Sequence, residues 1–124
     1  MPYEFKWGDE GTEVIFHGKV SYEEIRDADD MHYGDERFDK IKYQLYDFSR
    51  ADLSQISINH AVEAAAHDAA SVIYKPSLKV ALVAIDSYTT TLCEKYIHDS
   101  MEFRSTWSFA IFDNYVEAKS WCTQ

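Results

Sequence analysis

The chain is short of the residues that interrupt or cross-link a backbone: its 124 residues hold four glycines, two prolines and two cysteines. So few breakers exclude a flexible linker or a low-complexity tract and favour regular elements joined by short turns. Two cysteines without CxxC spacing exclude a disulfide framework and a cysteine-rich zinc module. Cys93 and Cys122 fall within helix-like segments on or near apolar faces, so buried free thiols are expected. Positive charge is scarce too, with 12 Lys and Arg against 22 Asp and Glu and a net charge of −10. A surface this acidic repels phosphate backbones and anionic head groups, which argues against nucleic acid and against electrostatic membrane attachment. No apolar run approaches the length of a membrane-spanning helix, and the N-terminal Met1-Pro2-Tyr3-Glu4 lacks a basic-then-apolar signal pattern. The expectation is one cytoplasmic domain over residues 1–124. The sequence leaves a homodimer open.

Aromatic side chains are what the chain has in excess: nine Tyr, seven Phe and three Trp. They supply large buried areas to a small core, and equally the wall of an apolar pocket.

Two hydrophobic periods alternate along the chain. Leu78 to Asp86 reads as a strand buried on both faces, and Trp107 to Asp113 as its neighbour. The segments after them, from Ser87 and from Asn114, carry apolar residues at helical spacing, which is the sequence form of a parallel βαβ unit. Upstream, Tyr3-Glu4-Phe5-Lys6-Trp7 alternates, and Gly8 to Thr12 makes a turn into a second strand, Glu13 to Val20. So short a connection predicts an antiparallel hairpin. Ser21 with Glu24 has capping-box spacing and opens a helix with Tyr22, Ile25 and Ala28 facing inward. Asp35 to Lys40 is a polar turn or short helix, and Lys42 to Ser49 is a third strand. Ser54 or Ser57 opens a long helix to about Ile73, which Pro76 ends. The order is ββαβαβαβα, and one mixed five-stranded sheet covered by helices is its simplest closure.

That hairpin, the three further βα units, the run Lys79-Val80-Ala81-Leu82-Val83, and Phe112 with Glu117-Ala118-Lys119-Ser120-Trp121 resemble the SpoIIAA-like proteins. These share the fold of the sulphate-transporter and anti-sigma-antagonist (STAS) domains. The resemblance runs over nearly the whole chain and implies an α/β domain without an established enzyme activity; no cofactor is expected. It implies a small apolar or lipid-like ligand held between helices and sheet. In the anti-sigma-antagonist branch a serine near the start of the helix after strand three is phosphorylated, which switches binding of a regulatory protein. That branch carries an Asp-Ser-x-Gly-like run. The stretch Asp47 to Ile58 here has serines without the motif, so Ser54 and Ser57 are the phosphoacceptor candidates of an alternative, protein-interaction reading.

The site residues follow from both arguments. A pocket beside the helices at 57–73 and 87–103 would be walled by Tyr46, Tyr88, Tyr96 and Phe112. Asp47 and Asp86 sit at the expected C-terminal ends of strands three and four, where ligands of open α/β sheets bind, although Asp there also caps helices. Ala61, Ala64, Ala65, Ala66, Ala69 and Ala70 make the long helix slim, suited to close packing or to leaving room for a ligand. His60, Glu63 and His67 share a face opposite the arc of Ile58, Val62, Ala65, Ala69, Val72 and Ile73, so they are expected in solvent. The two histidines stand roughly 10.5 Å apart along the axis at about 1.5 Å per residue, too far to share one zinc. No metal site is expected. No phosphate loop, nucleophile elbow or catalytic spacing is present around Ser87, Thr89 to Thr91 or Cys93.

Overall fold

The computed structural model describes residues 3–124 and shows one five-stranded sheet in the spatial order of the sequence. The strands are β1 (Tyr3–Trp7), β2 (Gly11–Lys19), β3 (Tyr43–Asp52), β4 (Lys79–Val83) and β5 (Ser108–Phe112). The hairpin β1–β2 is antiparallel, and every later neighbour pair is parallel. The helices are α1 (Tyr22–Tyr33), α2 (Ile58–Val72), α3 (Ser87–Glu102) and α4 (Tyr115–Cys122), with a 3₁₀ turn at Glu36–Lys40. Each crossover moves one strand along, and crossovers of one hand leave their helices on one face. The main core accordingly lies between α1, α2 and α3 and the sheet. After β5 the chain turns back, and α4 covers the other face.

Strand parity sorts the side chains. Phe5, Val14, Tyr46, Leu82 and Ile111 form one row across the sheet on the side of α1 to α3. The row one step on, Ile15, Asp47, Val83 and Phe112, lies on the α4 side. There Tyr43, Leu45, Ala81 and Val83 pack under Ala118 and Cys122. Gly11 has no side chain because a Cβ there would lie 2.5 Å from the Tyr43 ring. Glu13 ties α4 down: Tyr115 Oη donates to Oε1 at 2.6 Å, and the Lys119 ammonium pairs with Oε2. Burial works against that charge, yet the Lys119 and Tyr115 hydrogen bonds hold the carboxyl below its usual range.

Side-chain caps set the helix starts. Ser21, Ser57, Asp86 and Asn114 accept from the N–H of Glu24, His60, Thr89 and Glu117 respectively. Ser57, rather than Ser54, opens α2, and His60 completes the box by accepting from the Ser57 N–H at 2.9 Å. In α1 the position in phase with Ala28 holds His32, which is fully buried. Its Nδ1–H donates to the Ala28 carbonyl at 3.0 Å, which leaves Nε2 to accept from the Thr12 hydroxyl at 2.6 Å. Phe5, Trp7, Phe38 and Tyr46 surround the ring. Burial pushes its pKa down to about 4, so the imidazole is neutral at physiological pH.

Candidate functional site

The small side chains of α2 leave space against the sheet. Between β3, β4 and helices α1 to α3 lies a cavity of about 80 Å³. At roughly 15 Å³ per molecule this holds several waters or a small organic group. Its wall is largely apolar, from Ile25, Phe48, Leu53, Ile56, Val80 and Leu82, with Ala61 and Ala64 admitting the space on the α2 side. At one end Tyr22 and His60, in the first turns of α1 and α2, stack with ring centroids 4.6 Å apart. Both are only half-buried. These first turns follow the C-terminal ends of β2 and β3, the edge where open α/β sheets receive ligands.

The other end is polar and buried. Asp29, two turns beyond Tyr22, accepts from the Tyr46 hydroxyl. Asp68, two turns beyond His60, accepts from Tyr33 Oη and Tyr96 Oη, each at 2.5 Å. Burial, and next the Asp68 charge, push the Asp29 carboxyl well above the ordinary Asp range. Burial also raises Asp68, with its two tyrosine bonds pulling the other way. Burial and the neighbouring acids in turn raise Tyr46 and Tyr96, so both remain phenols that donate.

Of the residues singled out from sequence, Tyr46 and Tyr96 line this cavity. Phe112 and Asp47 do not reach it, because their parity turns them to the α4 face. Phe112 packs on Trp121 with centroids 5.7 Å apart. Asp47 lies within β3 rather than at its end, since the strand runs on to Asp52, and its carboxylate accepts from the Ser49 N–H. Asp86 caps α3, and hydrogen bonds from Thr89 hold it below the usual range. Together with Tyr88, Asp52 and Ser54 it lines a separate, open cleft. Tyr88 is exposed and donates to the Ile56 carbonyl at 2.5 Å. Ser54 and Ser57 are both exposed.

The inward face of α2 differs from the sequence expectation. Ala61, Ala65 and Asp68 form its buried line, whereas Ile73 is 79% exposed. His60 and His67 are not in solvent: His60 stacks on Tyr22, and His67 lies 3.5 Å from Asp30 and against Tyr33. The reason is that α2 is flanked by α1 as well as α3, so contacts cover two sides of it rather than one arc. Glu63 alone of the three stays exposed. Among the described residues no three His, Cys, Asp or Glu converge as metal ligands. No helix there is long and apolar enough to cross a membrane. Cys93 and Cys122 are free and buried, and burial raises the Cys93 thiol to about 12, so it lines the cavity as a thiol.

Asp29, Asp68 and Gln44 were not among the sequence candidates. Their signal is phase: Asp29 follows Ile25 and Asp68 follows Ala61 and Ala65 at inward helical spacing, and Gln44 shares the parity of Tyr46 and Phe48.

No protein-family model matches the sequence, and no curated protein matches it. Among solved structures, the chain is similar to an uncharacterized protein from the DUF3478 family, with a SpoIIAA-like fold, from Shewanella loihica PV-4. The identity is 13%, the TM-score 0.55, and the match covers 97% of this chain and 91% of the other. At that identity the likeness concerns the fold alone, and the fold of this chain is SpoIIAA-like.

Proposed function

We propose that this domain is a binder rather than a catalyst, and that it holds an apolar or lipid-like small molecule between the sheet and α1 to α3. The observation that carries the reading is the cavity itself. A mostly apolar wall with a few converging polar groups is the usual make-up of a small-molecule site. A buried neutral thiol and carboxyls held by tyrosines supply no activated nucleophile beside it. Tyr46 and Tyr96 are the wall residues of this reading.

Native mass spectrometry of gently purified protein tests it, with Ala64→Phe as the comparison. Ala64 is half-buried on the cavity wall, so the larger ring occupies the space without entering the deepest core. The unmodified chain should carry a small molecule that Ala64→Phe lacks. Apoprotein alone from both would overturn the reading.

The alternative, a phospho-switched protein interaction, draws on the exposure of Ser54 and Ser57 at the start of α2. Charge disfavours it: Ser54 shares its cleft with Asp52 and Asp86, and a phosphate there meets like charge.

A further inference from the structure

Among the buried side-chain polar atoms of the described residues that lack a hydrogen-bond partner, only Tyr22 Oη belongs to the cavity wall. The hydroxyl sits at the half-buried end, where the Tyr22 ring stacks on His60 with centroids 4.6 Å apart. A second such atom, Arg26 Nε, stands one turn further along α1, and its guanidinium carbon lies 5.9 Å from the Tyr22 ring centroid. An Nε–H can only donate. Burial raises the Tyr22 hydroxyl, Arg26 pulls the other way, and Glu63 and Asp29 add to the rise, so the phenol keeps its proton to donate. His60 offers no free acceptor beside it: Nδ1 accepts the Ser57 N–H, which places the ring proton on Nε2. The orphaned acceptor of α1, Glu24 Oε2, is about 200° round the helix from Tyr22, and its charge acts on Tyr3 instead.

The open positions at this end are therefore donors, and the charges acting on them are mostly negative. Glu63 and Asp29 act on Tyr22, and Asp30 and Asp29 act on Arg26. A buried donor left without an acceptor costs free energy, which a ligand that supplies one recovers. An ammonium supplies no acceptor. A carboxylate supplies two, but adds a negative charge to acidic surroundings. A hydroxyl accepts, yet must place a proton of its own where His60 has no free acceptor to give it. A ketone or ester carbonyl accepts through two lone pairs and brings neither charge nor proton. We propose that the cavity takes a small apolar carbonyl compound, its oxygen accepting from Tyr22 Oη on the side of Arg26 and its hydrocarbon lying along Ile25, Val80 and Leu82. This rests on the apolar-ligand reading and names the class of ligand. Tyr22 and Asp29, at the far end, are separated by about 10 Å along α1 at roughly 1.5 Å per residue, which bounds the length of hydrocarbon accommodated.

Hexan-2-one, hexan-1-ol, hexylamine and hexanoate have the same number of carbons and differ in the polar group, so they separate the two claims. Each is titrated at neutral pH into the ¹⁵N-labelled full chain while the amide signals of Ile25, Ala64 and Leu82 are followed. Hexan-2-one should saturate at least about threefold more tightly than hexan-1-ol, and at least about tenfold more tightly than either ion. Tyr22→Phe deletes only the unpartnered hydroxyl, so without ligand its urea midpoint should be no lower than that of the unmodified chain. Hexan-2-one should bind that variant about tenfold more weakly. Binding of the ketone that Tyr22→Phe leaves undiminished, or an alcohol, amine or carboxylate that matches the ketone, overturns the carbonyl assignment and leaves the apolar site standing. No saturable shift with any of the four overturns both. The comparison among probes uses the unmodified chain, so it decides the question even if Tyr22→Phe does not fold.

Discussion

At the scale of single residues, buried titratable groups dominate the behaviour of this domain. His32 is neutral in the fold with its pKa pushed down to about 4, while in the unfolded chain it protonates near 6.5. The unfolded state therefore binds more protons between those values. The His32 contribution is fully present above pH 6.5 and is lost as pH falls toward 4, by about 3 kcal/mol at roughly 1.4 kcal/mol per unit. Urea titrations at a series of pH values should show a steeper acid-side loss of stability in the unmodified chain than in His32→Gln. Equal slopes would contradict the assignment. Asp29 acts with the opposite sign. Its carboxyl is raised by burial and then by Asp68, so stability is present at low pH and lost as pH rises above the ordinary Asp range. Asp29→Asn keeps an oxygen for the Tyr46 hydroxyl and removes the charge. It should be more stable than the unmodified chain at pH 8, with the advantage vanishing below pH 4. A loss of stability at pH 8 would show that the acid is better accommodated than its burial implies.

At the scale of elements, side-chain caps and strand parity decide what faces what. Ser57 Oγ accepts the His60 N–H while His60 accepts the Ser57 N–H, and the His60 ring also stacks on Tyr22. Ser57→Ala should thus cost about 1 kcal/mol in chemical denaturation, whereas Ser57→Asp, another good N-cap, should cost less. If the two are equally destabilised, the cap is not what Ser57 contributes. The strands, their order and the hairpin were legible from the two hydrophobic periods. The face of each residue within a doubly buried strand was not. Phe109, Ile111 and Phe112 are all apolar, and nothing in such a run says that Phe112 belongs with α4. The same limit affected α2, where alanines dilute the apolar period and both flanks are covered, so Asp68 rather than Ile73 points inward. The polar half of the site was missed for a related reason: a carboxylate in phase with an apolar stripe reads as a fault in the pattern unless the cavity behind it is visible.

At the scale of the whole molecule, one sheet carries two unequal layers. The three-helix side holds the main core and the cavity, and the α4 side is smaller and pinned at its edge by Glu13. That division follows from topology: three successive crossovers share a face, and only the last helix is free to cross to the other. The alanines of α2 bring it close to its neighbours, yet leave a gap above Tyr46 and Leu82 that larger residues would fill. The central claim is that this gap is a ligand site rather than a packing fault. A crystal structure of the gently purified protein tests it most directly. The account predicts connected non-protein density within the cavity, from the Tyr22–His60 pair toward Asp29 and Asp68. A cavity closed by its own side chains, with no ligand inside, would contradict it.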